Sequence, residues 1–146
     1  MILISHRGNT KGSKLKLENK PFYIDRALNK KYDCEIDIRL TNNQLYLGHD
    51  EPQYKINLHW LYLRRYKLWI HCKDVNSLVF FSKLDNSNGF NFFFHENDLG
   101  VLTSLNYIWS TNVVEKGILV VPETFNKKPS LKTLGICSDY IKNYKK

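Results

Sequence analysis

Asp33-Cys34-Glu35-Ile36-Asp37-Ile38-Arg39-Leu40-Thr41-Asn42-Asn43-Gln44-Leu45-Tyr46-Leu47-Gly48-His49-Asp50 is the stretch from which the fold is read. Over 33–40 the pattern has a period of two, with Cys34, Ile36, Ile38 and Leu40 on one face and Glu35, Asp37 and Arg39 on the other, which is the signature of a strand. Asn42-Asn43 then turns the chain into a second short strand over 45–47, ending at Gly48-His49-Asp50. The pair reads as a β-hairpin.

Upstream, Ile2-Leu3-Ile4 is a short apolar run ended by Ser5-His6-Arg7-Gly8, which suits a buried strand entering a turn. Residues 9–19 are polar and lysine-rich and read as a loop. Pro21 and the helical spacing of Ile24, Ala27 and Leu28 predict an amphipathic helix over 20–31, with Asn19 as its cap. Downstream, Leu58, Leu61 and Tyr62 predict a short helix over 57–66. A strand over 68–73 places His71 and Lys73 on one face, and a helix over 75–84 follows. Further β-like runs cover 92–95, 107–109, 118–121 and 135–137, with turns near 98–105 and 125–133.

Strands alternating with helices argue for an α/β protein with a mainly parallel sheet. A complete (β/α)8 barrel normally takes ~200 residues or more, and this chain has 146. The expectation is a shortened TIM-like (β/α) barrel of about seven strands, with several helices missing in the second half. With 42% apolar residues, 1–146 is expected to form a single domain.

No export signal is expected, because only three apolar residues separate Met1 from Ser5 and His6. No run approaches the ~20 apolar residues of a membrane helix, so stable membrane insertion is not expected. Cys34, Cys72 and Cys137 fall inside strand-like runs and give no closed disulfide framework, which points to a reduced, cytoplasmic setting. A formal charge of +8 attracts anions, while Lys145 and Lys146 read as a solvated tail. The lysines are not interleaved with aromatics and no nucleic-acid motif occurs, which argues against a nucleic-acid partner. The oligomeric state is not legible.

Glu35 and Asp37 project from one face of a strand toward the same space. His6, His49, His71 and His95 each fall at the C-terminal end of a predicted strand, where parallel α/β folds place their sites. Two carboxylates without paired bases favour a hard divalent cation, Mg2+ or Ca2+. Such an ion can neutralise a phosphate oxygen, two histidines can divide acid and base work, and Arg7 and Lys73 can offset charge at phosphorus.

The ordered set His6-Arg7-Gly8, Glu18-Asn19, Glu35-x-Asp37, the hairpin ending in His49-Asp50 and the strand ending in Lys73 resembles the glycerophosphodiester phosphodiesterase family. Its wider superfamily includes the phosphatidylinositol-type phospholipases C and the spider phospholipase D toxins. Residues 135–140, Gly-Ile-Cys-Ser-Asp-Tyr, look like the family's last barrel strand. The resemblance implies His6 and His49 as the acid/base pair, Glu35 and Asp37 as metal ligands, and Arg7 and Lys73 as phosphate contacts. Where the family has a third acidic ligand, two residues before the lysine, this chain has His71. Imidazole is a softer ligand, so either His71 or one of Glu96, Glu123 and Asp139 would complete the set.

Glu18, His95, Trp109, Glu123 and Asp139 are further candidates for lining the pocket. Asp50 could orient His49 or simply form the turn, and His59 is assigned to the helix surface. The leading expectation is hydrolysis of a small phosphodiester with a divalent metal. A lyase releasing a cyclic phosphate, and a non-catalytic basic module for anions or nucleic acid, are the alternatives.

Overall fold

The computed structural model describes residues 1–84 and 88–145. The strands are β1 (Ile2–His6), β2 (Asp33–Thr41), β3 (Gln44–Leu47), β4 (Tyr54–Ile56), β5 (Leu68–Cys72), β6 (Asn91–Phe94), β7 (Gly100–Leu102), β8 (Ile108–Ser110), β9 (Gly117–Val120) and β10 (Gly135–Ser138). The α-helices among the described residues are α1 (Pro21–Asn29), α2 (Leu58–Tyr62) and α3 (Val75–Ser82). All ten strands of the described residues belong to one sheet. Its parallel run is β8, β9, β10, β1, β2, β5, β6, and β3, β4 and β7 are attached antiparallel.

This is a mixed α/β fold whose sheet curls into a half-barrel and does not form a full TIM barrel. Ser104, in the turn after β7, bridges toward β6: its backbone N–H donates to Phe92 O (2.8 Å) and its Oγ accepts from Phe92 N–H (2.9 Å). As expected, helices cover the first half, whereas beyond α3 the described connections are loops and short 3-10 turns.

The curl explains why both faces of β2 are buried, although its alternation suggests one wet face. Cys34, Ile36 and Ile38 face outward and pack with Leu68, Ile70 and Cys72 under Ile24 of α1, Leu61 of α2 and Phe81 of α3. The inner face holds a second cluster of Ile4, Trp69, Phe93, Trp109, Ile118, Val120 and Cys137. Each fully buried large apolar side chain contributes about 1.5–3 kcal/mol, so both layers hold the curl. The inner cluster fills the lower part of the curl. Above it, at the strands' C-terminal ends, the inward positions turn polar: His6, Glu35 and Asp37, His71, His95, Asp139.

Asn42 and Asn43 both adopt positive φ (50° and 57°) and Thr41 pairs with Gln44, the two-residue hairpin expected from Asn-Asn. Three local expectations differ. Asn19 is not the cap of α1: Lys20 occupies that position without a side-chain cap bond, because the Asn19 amide is engaged inside the sheet. The helix expected over 57–66 ends at Tyr62, and a 3-10 turn follows over Arg65–Lys67. Strands β4 and β7 were not foreseen, β7 falling where turns were expected. Each has only three residues, too few for a period of two to show.

Cys34, Cys72 and Cys137 are free and buried. Burial pushes each thiol up, Cys72 to about 12, so they pack as small apolar groups. Lys145 is exposed and donates to Lys30 O at 3.3 Å, and Lys146 lies outside the described residues.

Candidate metal centre

Glu35 and Asp37 lie at the inner face of β2, 2% and 0% exposed, and His71 of the neighbouring β5 is 7% exposed. In the β2–β5 register Asp37 pairs directly with His71. One ligand atom from each of the three residues can be chosen so that all lie within 4.8 Å of one another, a set that can hold a metal ion. His71 Nδ1 is 3.3 Å from Asp37 Oδ1 and 3.9 Å from Glu35 Oε1.

The rest of each carboxylate is fixed by protein. Asp37 Oδ2 accepts from Asn19 Nδ2 (2.8 Å) and faces Arg7 Nε (2.9 Å), while Asp37 N–H donates to Asn19 Oδ1 (3.0 Å). Asp37 Oδ1 is buried with no hydrogen-bond partner. Glu35 Oε2 accepts from the Arg7 N–H (3.2 Å) and lies 3.8 Å from His6 Nε2. A buried carboxylate oxygen without a hydrogen-bond partner, beside a second carboxylate and an imidazole nitrogen, fits a cation.

The charges agree. Burial and the neighbouring Asp37 push Glu35 up to about 7, although His6 and Arg7 oppose the shift. Asp37 stays well below the ordinary carboxylate range; burial works against this, but the His71 ring, Arg7 and Asn19 outweigh it. Burial holds His71 below its ordinary value against the pull of Asp37.

Arg7 and Gly8 follow β1 with positive φ (52° and 90°), and this turn points the guanidinium back at the carboxylates. Arg7 Nη1 donates to Glu18 Oε2 (3.2 Å), and Glu18 Oε1 accepts from Asn9 Nδ2 (2.8 Å) and Ser13 Oγ (2.7 Å). Glu18, a pocket candidate by sequence, thus braces Arg7 from behind. Burial works against its charge, yet Ser13, Asn9 and Arg7 hold it low.

His6 Nδ1 donates to Asp139 Oδ1 at 2.8 Å. Burial alone would lower this ring, but the Asp139 hydrogen bond and Glu35 raise it overall. Asn9 Nδ2 also donates to Asp139 Oδ1 (2.8 Å), and Glu123 accepts from Asp139 N–H (2.8 Å) and Ser138 Oγ (3.0 Å). Asp139 and Glu123 therefore support His6 and its turn, and Glu96 is exposed. None of these three joins the carboxylate cluster; His71 takes the third place.

His49 is carried by a different kind of strand from His6, His71 and His95. It follows β3, which runs back antiparallel to β2, and the Gly48 N–H donates to Asp37 O (3.1 Å). Its Nδ1 donates to Asp50 Oδ1 (2.7 Å), and its Nε2 accepts from Lys73 Nζ (3.4 Å). Asp50 does orient His49, as one of the two sequence readings had it.

His95 stacks on His71 (4.5 Å between centroids, 10°), His71 on Phe93 (5.0 Å, 15°), and Phe93 lies 4.8 Å from Trp109. This column links floor to mouth. Trp109 stacks on Trp69 and is 4% exposed, so it belongs to the floor and not to the rim. Burial, then His71 and Lys73, lower His95 to about 4, and it is neutral at pH 7. His59 is exposed on α2.

Sequence reasoning missed Asn9 and Asn19, both buried and both holding site residues. Asn19 carried a signal: asparagine tolerates the left-handed backbone (φ 61°) needed to turn its amide inward, but it was read as a cap. No family model, no curated protein and no solved structure matches this chain.

Proposed function

We propose that this chain is a metal-dependent phosphodiesterase acting on a small glycerophosphodiester-like substrate, and that its sheet is a shortened TIM-like barrel of seven parallel strands. The observation that carries the reading is the convergence of Glu35, Asp37 and His71 on one small space, beside a histidine oriented through Nδ1 by a carboxylate. A divalent cation, Mg2+ or Ca2+ by the preference of carboxylate oxygens for hard ions, would be held by these three residues and would supply charge neutralisation at a phosphate oxygen and a more acidic nucleophile.

The two histidines divide the proton work. His49 is the base, with Nδ1 2.7 Å from Asp50 Oδ1 and Nε2 3.4 Å from Lys73 Nζ. It takes the proton from the attacking hydroxyl, either a neighbouring group of the substrate or water. His6, held toward its protonated form by Asp139 and Glu35, gives its Nε2 proton to the leaving oxygen as the P–O bond breaks. Arg7 and Lys73 offset charge on the phosphoryl oxygens, with Arg7 fixed in place by Asp37 and Glu18.

Purified chain incubated with glycerophosphodiesters and a series of divalent cations is expected to show chelator-sensitive cleavage. His6→Ala and His49→Ala should each lower it by at least about a hundredfold. Phosphorus NMR of the products separates hydrolysis from release of a cyclic phosphate. Absence of chelator-sensitive cleavage would overturn the proposal.

A further inference from the structure

We propose that the Glu35, Asp37 and His71 centre selects a first-row transition ion of the Mn2+ to Zn2+ series over Mg2+ and Ca2+, with His71 as the residue that sets the preference. This rests on the reading of the cluster as a metal centre and departs from the hard-cation expectation drawn from the carboxylates alone. A cation in the cluster would need the Nδ1 lone pair of His71, which puts the ring proton on Nε2, where His95 O at 3.4 Å can accept it. Nδ1 faces Asp37 Oδ1 at 3.3 Å and Glu35 Oε1 at 3.9 Å, so the ring meets the cluster through that nitrogen. A backbone carbonyl fixing the far nitrogen of a ligating histidine is a common arrangement around metals.

The ring cannot easily turn away. It is 7% exposed and stacks on both Phe93 and His95, whose rings lie 6.0 Å apart along its β6 side. Nor can Asp37 reorient to supply more oxygen, since Oδ2 is committed to Asn19 and Arg7. The cluster therefore offers two carboxylate oxygens and one imidazole nitrogen. Metal–ligand bonds of ~2.1 Å place adjacent donors ~3.0–3.4 Å apart, which the 3.3 Å Asp37–His71 separation already meets. A hard ion bound mainly by charge gains less from a neutral nitrogen than from a third carboxylate, whereas a transition ion gains from imidazole.

The test is calorimetric titration of the full chain with Mg2+, Ca2+, Mn2+ and Zn2+ separately, on wild type and His71→Asp, with Asp37→Asn as the blank for ions held elsewhere. Zn2+ and Mn2+ are expected to bind at least about tenfold more tightly than Mg2+ and Ca2+ in the wild type. The Zn2+ to Mg2+ affinity ratio should fall at least about tenfold in His71→Asp. An unchanged ratio in His71→Asp, or Mg2+ bound as tightly as Zn2+ by the wild type, overturns the inference and leaves the metal centre standing. No Asp37-dependent binding of any ion overturns the metal-centre reading itself. If His71→Asp does not fold, the 15N resonance of His71 Nδ1 in the wild type decides: a shift with Zn2+ that the same concentration of Mg2+ does not produce supports the inference, and equal shifts with both ions, or none with Zn2+, overturn it.

Discussion

Glu35→Gln isolates the energetic burden of packing two carboxylates into one buried space. In the folded chain Glu35 is raised from the ordinary 4.5 to about 7, so between those values the folded state holds a proton that the unfolded state has released. Folding stability must then fall as pH rises through that interval, with full stability below about pH 4.5 and the full penalty above about pH 7. A shift of 2.5 pH units corresponds to roughly 3 kcal/mol at about 1.36 kcal/mol per unit. The residue is 2% exposed, so little of this is lost to solvent screening.

His6, also raised, adds a loss in the same direction above its ordinary 6.5, and His71, lowered, adds a gain as pH rises toward 6.5. In Glu35→Gln the part of the His6 shift that Glu35 supplies is lost as well, which acts in the same direction, so the difference between the two chains carries the Glu35 penalty together with that part. The assay is urea unfolding followed by tryptophan fluorescence, with chelator present, at pH 4, 5, 6, 7 and 8. Wild type should lose about 3 kcal/mol relative to Glu35→Gln between pH 4 and pH 8. A relative change under about 1 kcal/mol would refute the claim that burial beside Asp37 burdens the Glu35 carboxylate.

Asn19→Ala removes two hydrogen bonds to Asp37, one of them to a charged group, and places alanine at φ 61°. The expected loss is about 3–5 kcal/mol by urea unfolding, with Asn19→Gly about 1 kcal/mol less affected, and a loss below about 1 kcal/mol for Asn19→Ala would remove Asn19 from its clamping role. A Cβ on Gly48 would collide with the backbone oxygen of Glu51, so Gly48→Ala should cost about 1–3 kcal/mol and displace the His49 turn. His49 ring resonances that coincide with those of the wild type would contradict this.

The sequence of β2 announced both its strand and its paired carboxylates, because a period of two needs no tertiary knowledge. The burial of its second face was not legible: alternation looks the same on a flat sheet and on a curled one, and only the inward rings of Trp69, Phe93 and Trp109 reveal the curl. The histidines at strand ends could be found because parallel topology fixes where those ends lie. Asn9, Asn19 and the bracing role of Glu18 depend on how one loop folds over the site. A polar loop of 9–19 carries no periodicity to betray that, and the same asparagine can cap a helix or grip a carboxylate.

The aromatic column that rises from Trp109 through Phe93 to His71 and His95 ties the floor to the carboxylates by touch. Trp109 and Phe93 belong to the inner cluster, so a ring lost from the core would loosen His71 without altering any group that faces Glu35 or Asp37.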